Sequence, residues 1–195
     1  MGIVARAALI LDLDGTVWDS RAWYDALVSL VRPGSSAGSN AANALKRAGC
    51  TRARFKAICR AGEPSLVCFP GLYETLGSLS AKEVRLGVVT NLPSWMALPM
   101  LQAVGLDQLL AVVVTWGETK RHKPYPDPLL CAVEQLASNP ARSWYIGDES
   151  SDEAAAAAAG INFAWAAWGY AAGFETNGCV LRSVSDVELL LGLAS

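Results

Sequence analysis

The chain has 195 residues, of which 52% are hydrophobic and 17% are charged. This length suits one core domain with a small insertion, and this composition can fill a hydrophobic core, which excludes a disordered protein. The net charge of −2 creates no overall field that would recruit nucleic acid or an acidic membrane surface.

Cysteine spacing and hydropathy indicate the cellular compartment in which the protein is expected. The five cysteines include no pair at CxxC spacing, so we expect free thiols rather than a disulfide framework or a zinc site. Asp12 and Asp14 interrupt the N-terminal apolar run, unlike a signal peptide, and Arg6 breaks the myristoylation pattern. No stretch reaches the roughly 18 uncharged apolar residues that a membrane span needs. We therefore predict a cytoplasmic protein without a membrane partner.

Short apolar runs alternate with longer helical patterns along most of the chain. The runs are nearly continuous in apolar residues, which is typical of strands that are covered on both faces. Strands are predicted at residues 7–13, 85–90, 111–116, 143–146 and 162–167. Helices are predicted at residues 72–80, 94–104, 127–137, 152–159 and 186–193. This alternation predicts a parallel sheet with right-handed crossovers, in an α/β, Rossmann-like core of three layers.

One region, residues 18–69, interrupts the alternation of strands and helices. It contains helical patterns at residues 21–31, 41–48 and 52–61 and no convincing strand. We interpret it as a small helical module inserted into a core that comprises residues 1–17 and 70–195.

The first predicted strand ends in the string Asp12-Leu13-Asp14-Gly15-Thr16. Carboxylates two residues apart point the same way while the chain is extended. One of them can attack phosphorus and the other can protonate the leaving oxygen. Gly15 would let the chain approach a ligand closely. The alternative is that these aspartates only form a turn or cap a helix.

Polar residues also follow the second and third predicted strands. Thr90 and Asn91 end the second, where a hydroxyl and free backbone N–H groups could hold a phosphoryl oxygen. Lys123 lies in the proline-rich loop after the third, where a cation can neutralise a transferring phosphoryl group. A solvated basic loop is the alternative. We interpret His122, the only histidine, as a bystander.

The fourth predicted strand is followed by Asp148 and, one helical turn later, Asp152. Asp148 could bind a hard cation, or it could cap the alanine-rich helix that follows. In a parallel α/β sheet, ligands bind beyond the carboxyl ends of the strands, so the four segments are expected to meet there.

In order and spacing, the four segments resemble the motifs of the haloacid dehalogenase superfamily. These motifs are Asp12-x-Asp14-Gly15-Thr16, Thr90, Lys123-Pro124 and Gly147-Asp148-x-x-x-Asp152. The chain is most similar to the phosphoglycolate phosphatase-like branch, because it also carries Asp19-Ser20, Pro70-Gly71 and Lys-Pro-x-Pro-Asp from Lys123. The resemblance implies that residues 18–69 form a cap over the site.

The resemblance also implies a role for each motif residue. Asp12 would be the nucleophile and Asp14 the general acid and base, while Thr90 and Lys123 would bind the phosphoryl group. Residues predicted to contact phosphate beside them are Gly15, Thr16 and Asn91. Mg2+ would be held by the Asp12 carboxylate, the Asp14 carbonyl and the Asp148 carboxylate, with Asp152 in the outer shell or positioning Lys123.

These roles predict a Mg2+-dependent phosphatase that hydrolyses small phosphorylated metabolites through an aspartyl-phosphate. A phosphomutase with the same residues, an end phosphatase of nucleic acid and a non-catalytic binding protein are the alternatives. A basic stretch in the insertion, from Lys46 to Arg60, is either a solvated face or a second anion site, although nucleic acid is not the expected partner. Asp14 favours phosphate esters, because in this superfamily the dehalogenases and phosphonate-cleaving enzymes lack that aspartate. The oligomeric state cannot be read from the sequence.

Overall fold

The computed structural model describes residues 7–38, 40–170, 175–176 and 178–192. A sheet of six parallel strands, in the order β3-β2-β1-β4-β5-β6, forms its centre. The strands are β1 (Ala8–Leu11), β2 (Arg85–Pro93), β3 (Val112–Trp116), β4 (Ser143–Gly147), β5 (Asn162–Ala166) and β6 (Cys179–Leu181). All five predicted strands are present, and the predicted α/β fold is confirmed.

Eight α-helices connect or flank the strands in the described part of the chain. They are α1 (Arg21–Val31), α2 (Ala41–Arg47), α3 (Arg52–Ala61), α4 (Leu72–Ala81), α5 (Ser94–Ala103), α6 (Asp127–Gln135), α7 (Ser150–Ala159) and α8 (Asp186–Leu190). Helix α7 begins two residues before its predicted start, with Glu149 at the N-cap. The predicted end of the last helix, residue 193, lies outside the described residues.

The strand that the sequence did not predict is β6, at the edge of the sheet. It is three residues long and pairs with β5 alone. Two of its residues are exposed, so it shows no continuous apolar run. The pattern that identified the buried strands is therefore missing here.

Strand β1 lies at the centre of the sheet, and its side chains alternate between two hydrophobic cores. Leu9 and Leu11 belong to the core beneath α4 and α5, while Ala8 and Ile10 belong to the core beneath α6 and α7. Both faces of the sheet are therefore covered, which gives the three layers that were predicted. The connection from β1 leads to β2 on one side, whereas the connection from β3 leads back to β4 on the other side of β1, so the strand connections diverge beside β1. Such a divergence opens a crevice beyond the strand ends.

Helices α1 to α3 form the insertion, whose two connections to the core run side by side. Trp18 and Cys68 form a bridge between them, and the Phe69 N–H donates to the Val17 carbonyl at 2.9 Å. In α3, Phe55 packs edge-on against Trp95 of α5, with ring centroids 5.3 Å apart. The insertion is thus packed on the core helix that follows β2. Its division from the core as a separate domain stays a prediction.

Two further expectations concern membranes and cysteines. Within the described residues, no helix combines the length and apolar character needed to cross a bilayer. All five cysteines are free thiols, as expected.

The packing of Phe55 predicts how firmly the insertion is attached. Phe55 is fully buried, so Phe55→Ala should lower the free energy of unfolding by about 3–5 kcal/mol through lost burial and a cavity. Leu30→Ala, at a side chain on α1 that is 52% exposed, should cost less than about 1 kcal/mol. Chemical denaturation measures both variants, and a similar cost for the two would contradict this account of the interface.

Candidate active site

The predicted site residues lie around the crevice at the ends of β1 and β4. The Asp12 N–H donates to the Ile146 carbonyl at 2.9 Å, which extends the pairing of the two strands by one residue. Asp12 therefore leaves the sheet beside Asp148, which directly follows β4. This is the point where the strand connections diverge and where a ligand site is expected.

Lys123 is the charged centre of the site. Its ammonium group donates to Asp12 Oδ1 at 2.7 Å, to Asp152 Oδ1 at 2.6 Å and to the Tyr145 hydroxyl at 2.8 Å. Three acceptors satisfy the three N–H groups of an ammonium. Burial lowers the pKa of Lys123, but the charges of Asp12 and Asp152 outweigh burial, so the pKa is raised and the group stays charged.

The loop that carries Lys123 is fixed through its backbone. The Asn91 side-chain amide donates to the Lys123 carbonyl at 3.2 Å, and the peptide bond to Pro124 is cis. Asn91, which was predicted to contact phosphate, therefore also links the end of β2 to this loop.

Tyr145 of β4 is a site residue that the sequence reasoning missed. Its hydroxyl accepts from Lys123 and lies 2.9 Å from Asp152 Oδ1 and 3.2 Å from the Val89 carbonyl. A buried tyrosine needs a partner for its hydroxyl, so a tyrosine inside an apolar strand next to the Gly147-Asp148 motif was the available signal.

Asp152 lies in the first turn of α7 and is fully buried. Its Oδ2 accepts from the Glu149 N–H at 3.0 Å, and its Oδ1 accepts from Lys123. Both oxygens are therefore used to hold the chain and the ammonium in place. These contacts are those that a residue positioning Lys123 requires, although that role stays a prediction.

Asp148 is held by two donors and enclosed by two glycines. Oδ1 accepts from the Thr16 hydroxyl at 3.1 Å and Oδ2 from the Tyr170 N–H at 2.7 Å. A Cβ atom on Gly15 or Gly169 would overlap the Asp148 carboxylate, so both positions require glycine. Gly15 also has φ of +86°, in the left-handed region that favours glycine. Burial raises the pKa of Asp148 to about 6.

Asp14 receives hydrogen bonds from three side chains. Oδ1 accepts from Trp18 Nε1 at 2.8 Å and from the Ser20 hydroxyl at 2.5 Å. The Tyr24 hydroxyl lies 3.2 Å from Oδ2. Burial raises the pKa of Asp14, although these three donors oppose that effect. The sequence analysis assigned no role to any of these three donors.

The buried carboxylates carry more negative charge than Lys123 can balance. Carboxylate oxygens of Asp12, Asp148 and Asp152 all lie within 4.8 Å of one another. Burial raises the pKa of Asp12 as well, and the charge of Asp152 adds to that rise. A divalent cation would relieve this repulsion, and an all-oxygen donor set suits a hard ion such as Mg2+. The residues present therefore fit a metal site.

A cavity of about 620 Å³ lies above these residues, between the core and the insertion. Five predicted site residues line it, namely Asp12, Asp14, Thr90, Asn91 and Lys123. From the insertion, Arg21 and Tyr24 of α1 line it together with residues around the start of α2. The Arg21 guanidinium stacks 4.3 Å from the centre of the Tyr170 ring and pairs with Asp19 at 2.7 Å. The cavity is thus enclosed by both parts of the chain.

The structure also places Gly15, Thr16 and the basic stretch of the insertion relative to the cavity. Thr16 is fully buried and donates to Asp148, and neither Thr16 nor Gly15 is among the cavity-lining residues. The turn after β1 directs these two residues towards Asp148, and their contact with phosphate stays a prediction. The basic side chains from Lys46 to Arg60 are exposed and do not line the cavity, so the solvated-face interpretation fits them better.

Comparison with known proteins agrees with this geometry. The model of the haloacid dehalogenase-like hydrolase family matches residues 37–166. The chain belongs to this family. The resemblance seen in the sequence is thereby confirmed for two thirds of the chain, although the match begins after the Asp12 motif.

One curated relative is similar to about two thirds of this chain. The phosphoglycolate phosphatase of Escherichia coli (strain K12) is 33% identical over 135 residues, which are 67% of this chain and 54% of that protein. The chain thus matches about half the length of this relative.

Solved structures extend the likeness to most of the chain. A superfamily hydrolase of Geobacter sulfurreducens PCA is 25% identical, with a TM-score of 0.72, and covers 96% of this chain and 97% of its own. CbbY of Rhodobacter sphaeroides, in complex with phosphate, is 18% identical, with a TM-score of 0.74, and covers 93% of this chain and 96% of its own. The likeness to CbbY shows a shared fold alone.

The contacts of Lys123 predict its contribution to stability. Lys123→Met should lower the free energy of unfolding of the metal-free protein by about 3–5 kcal/mol, because two buried carboxylates lose their counter-charge. Lys82→Met, which removes a surface ion pair with Glu188, should cost about 1 kcal/mol or less. Urea denaturation in the presence of a chelator measures both, and equal costs would show that the buried cluster is not held by charge.

Proposed function

We propose that the protein is a Mg2+-dependent phosphatase that hydrolyses small phosphomonoesters through an aspartyl-phosphate on Asp12. The observation that carries this proposal is the placement of Asp12, which faces the cavity with Lys123 at 2.7 Å and a cluster of buried carboxylates behind it. Membership of the hydrolase family supports the same chemistry.

In the first step, an Asp12 carboxylate oxygen attacks phosphorus and the bond to the ester oxygen breaks. Lys123 holds Asp12 in place and offsets negative charge on the phosphoryl group. Asp14 gives its proton to the leaving oxygen, and the raised pKa of Asp14 favours the protonated form that this step needs. The Thr90 hydroxyl, which lines the cavity, is assigned to a phosphoryl oxygen.

In the second step, water attacks the phosphorus of the aspartyl-phosphate. Asp14, now ionised, accepts the proton from that water, and the bond between phosphorus and Asp12 breaks. Inorganic phosphate leaves and both aspartates return to their starting states. Thus one residue serves first as acid and then as base.

The metal would be held by the Asp12 and Asp148 carboxylates and the Asp14 backbone carbonyl. It would supply positive charge that lets an anionic phosphate approach the Asp12 carboxylate. Asp152 is assigned to the outer shell, since Lys123, Tyr145 and the Glu149 N–H already engage its oxygens.

The helical insertion, residues 18–69, is proposed to act as a cap that excludes water and contacts the leaving group. Its residues form one side of a cavity whose volume of about 620 Å³ suits a small metabolite. Phosphoglycolate is one candidate, because the matched Escherichia coli relative is a phosphoglycolate phosphatase. Sugar phosphates and nucleotides are others. We expect a cytoplasmic enzyme, since its free thiols suit a reducing compartment.

A hydrolysis screen tests the proposed function. Wild-type protein with Mg2+ should release inorganic phosphate from at least one compound in a panel of phosphoglycolate, sugar monophosphates and nucleotides. Asp12→Asn, or a chelator, should reduce release to the level of a sample without protein, because the nucleophile or its metal is lost. Asp107→Asn, at an exposed aspartate that does not line the cavity, should behave as wild type. Equal activity of wild type and Asp12→Asn would refute the mechanism.

The same reactions separate hydrolysis from phosphoryl return to the substrate. A phosphatase yields inorganic phosphate and the free alcohol, whereas a phosphomutase yields an isomeric phosphate. Chromatography of the products from a sugar monophosphate therefore decides between them.

Metal binding can be tested without turnover. Mg2+ at about 100 times its dissociation constant should stabilise the wild type by about 2.7 kcal/mol, which raises the unfolding midpoint by about 5–10 °C. Asp148→Asn should lose most of that shift, since a carboxylate ligand is gone, and Asp107→Asn should keep it. Differential scanning fluorimetry measures the midpoints, and an undiminished shift in Asp148→Asn would exclude Asp148 as a ligand.

A further inference from the structure

Tyr24 joins the helical insertion to the carboxylate assigned as the general acid. It lies on α1, is 7% exposed and lines the cavity. Its hydroxyl is 3.2 Å from Asp14 Oδ2, 3.4 Å from Asp14 Oδ1 and 3.6 Å from the Met100 sulfur. A phenol has one hydrogen to donate, and a carboxyl oxygen is a stronger acceptor than a thioether sulfur in either protonation state of Asp14. The hydrogen is therefore directed at Asp14.

Tyr24 differs from the other two donors in which oxygen it reaches. Trp18 and Ser20 both donate to Asp14 Oδ1. Among the described residues, Tyr24 is the side chain whose hydroxyl contacts Oδ2. A carboxyl group is planar and turns about its Cβ–Cγ bond, so a donor on either oxygen restrains that rotation. Tyr24 adds a restraint on the Oδ2 side, and this restraint comes from helix α1.

The position of the Tyr24 ring is set by packing on both parts of the chain. Trp23 packs edge-on against it with ring centroids 5.2 Å apart, and Met100 of the core helix α5 contacts its hydroxyl. Burial and the charge of Asp14 raise the pKa of Tyr24 well above its usual range, so the phenol remains a donor. The orientation of Asp14 thus depends on how α1 is seated against the core.

We propose that Tyr24 is a positioning residue that orients the Asp14 carboxyl for proton transfer to the leaving oxygen. This inference rests on the proposed function. A hydrogen-bonded acid contributes most when the leaving group is a poor one, because a good leaving group departs without needing a proton. Loss of the Tyr24 hydroxyl should therefore impair the hydrolysis of alkyl phosphates more than that of aryl phosphates.

The test compares Tyr24→Phe with wild type on para-nitrophenyl phosphate and on the best alkyl phosphate of the hydrolysis screen. The quantity to measure is kcat/KM, which covers steps up to leaving-group release and is unaffected by the later hydrolysis of the aspartyl-phosphate. We expect kcat/KM to fall about tenfold or more on the alkyl ester and less than about threefold on the aryl ester. The ratio of the two values on one sample does not depend on the folded fraction.

Tyr73→Phe is the matched control, because Tyr73 is a half-exposed tyrosine on α4 outside the active-site cavity. It should leave both values unchanged. An equal fall on the two esters in Tyr24→Phe would assign Tyr24 a structural role only, and no fall would show that it does not orient Asp14. Both results overturn the inference while leaving the proposed function intact. Failure of that function would appear separately, as a wild type that hydrolyses neither ester, and it would overturn the inference too.

Discussion

The buried ammonium of Lys123 is the interaction on which the rest of the site depends. It brings together the turn after β1, the loop after β3 and the first turn of α7, through Asp12 and Asp152. A charge removed from water is costly unless it is paired and fully hydrogen-bonded, and here all three N–H groups have acceptors. The ammonium charge of Lys123 is therefore balanced and hydrogen-bonded when the three segments lie together in this arrangement.

The same cluster bears on how an acidic crevice would accept the anionic substrate of the proposed reaction. Asp12, Asp14 and Asp148 are carboxylates whose pKa values burial raises, and a single lysine faces them. A divalent cation held by these oxygens would offset the repulsion between the carboxylates and would supply positive charge for an anion. In the proposed mechanism, the metal and Lys123 together make the attack of a carboxylate on a phosphate possible.

Asp14 lies in the core, but its side-chain hydrogen bonds come from residues of the insertion. Its hydrogen bonds come from Trp18, Ser20 and Tyr24. The Ser20 hydroxyl also lies 2.9 Å from the Tyr170 hydroxyl. The Tyr170 N–H in turn holds Asp148. This network links the proposed acid, the proposed metal ligand and the insertion, so in the proposed mechanism substrate enclosure and acid catalysis would share the same contacts.

The sequence by itself determined the five buried strands and the motif residues that follow them, because continuous apolar runs mark buried strands and polar residues after them are locally visible. It could not show that Thr16 turns towards Asp148, that Tyr145 contacts Lys123 or that Tyr24 reaches Asp14. The contact between Tyr145 and Lys123 joins elements that are far apart in the sequence. The contact between Tyr24 and Asp14 depends on how α1 packs against the core, which no local sequence pattern specifies. Only the tertiary structure decides such pairings, since they depend on how elements pack and on which buried polar groups need partners.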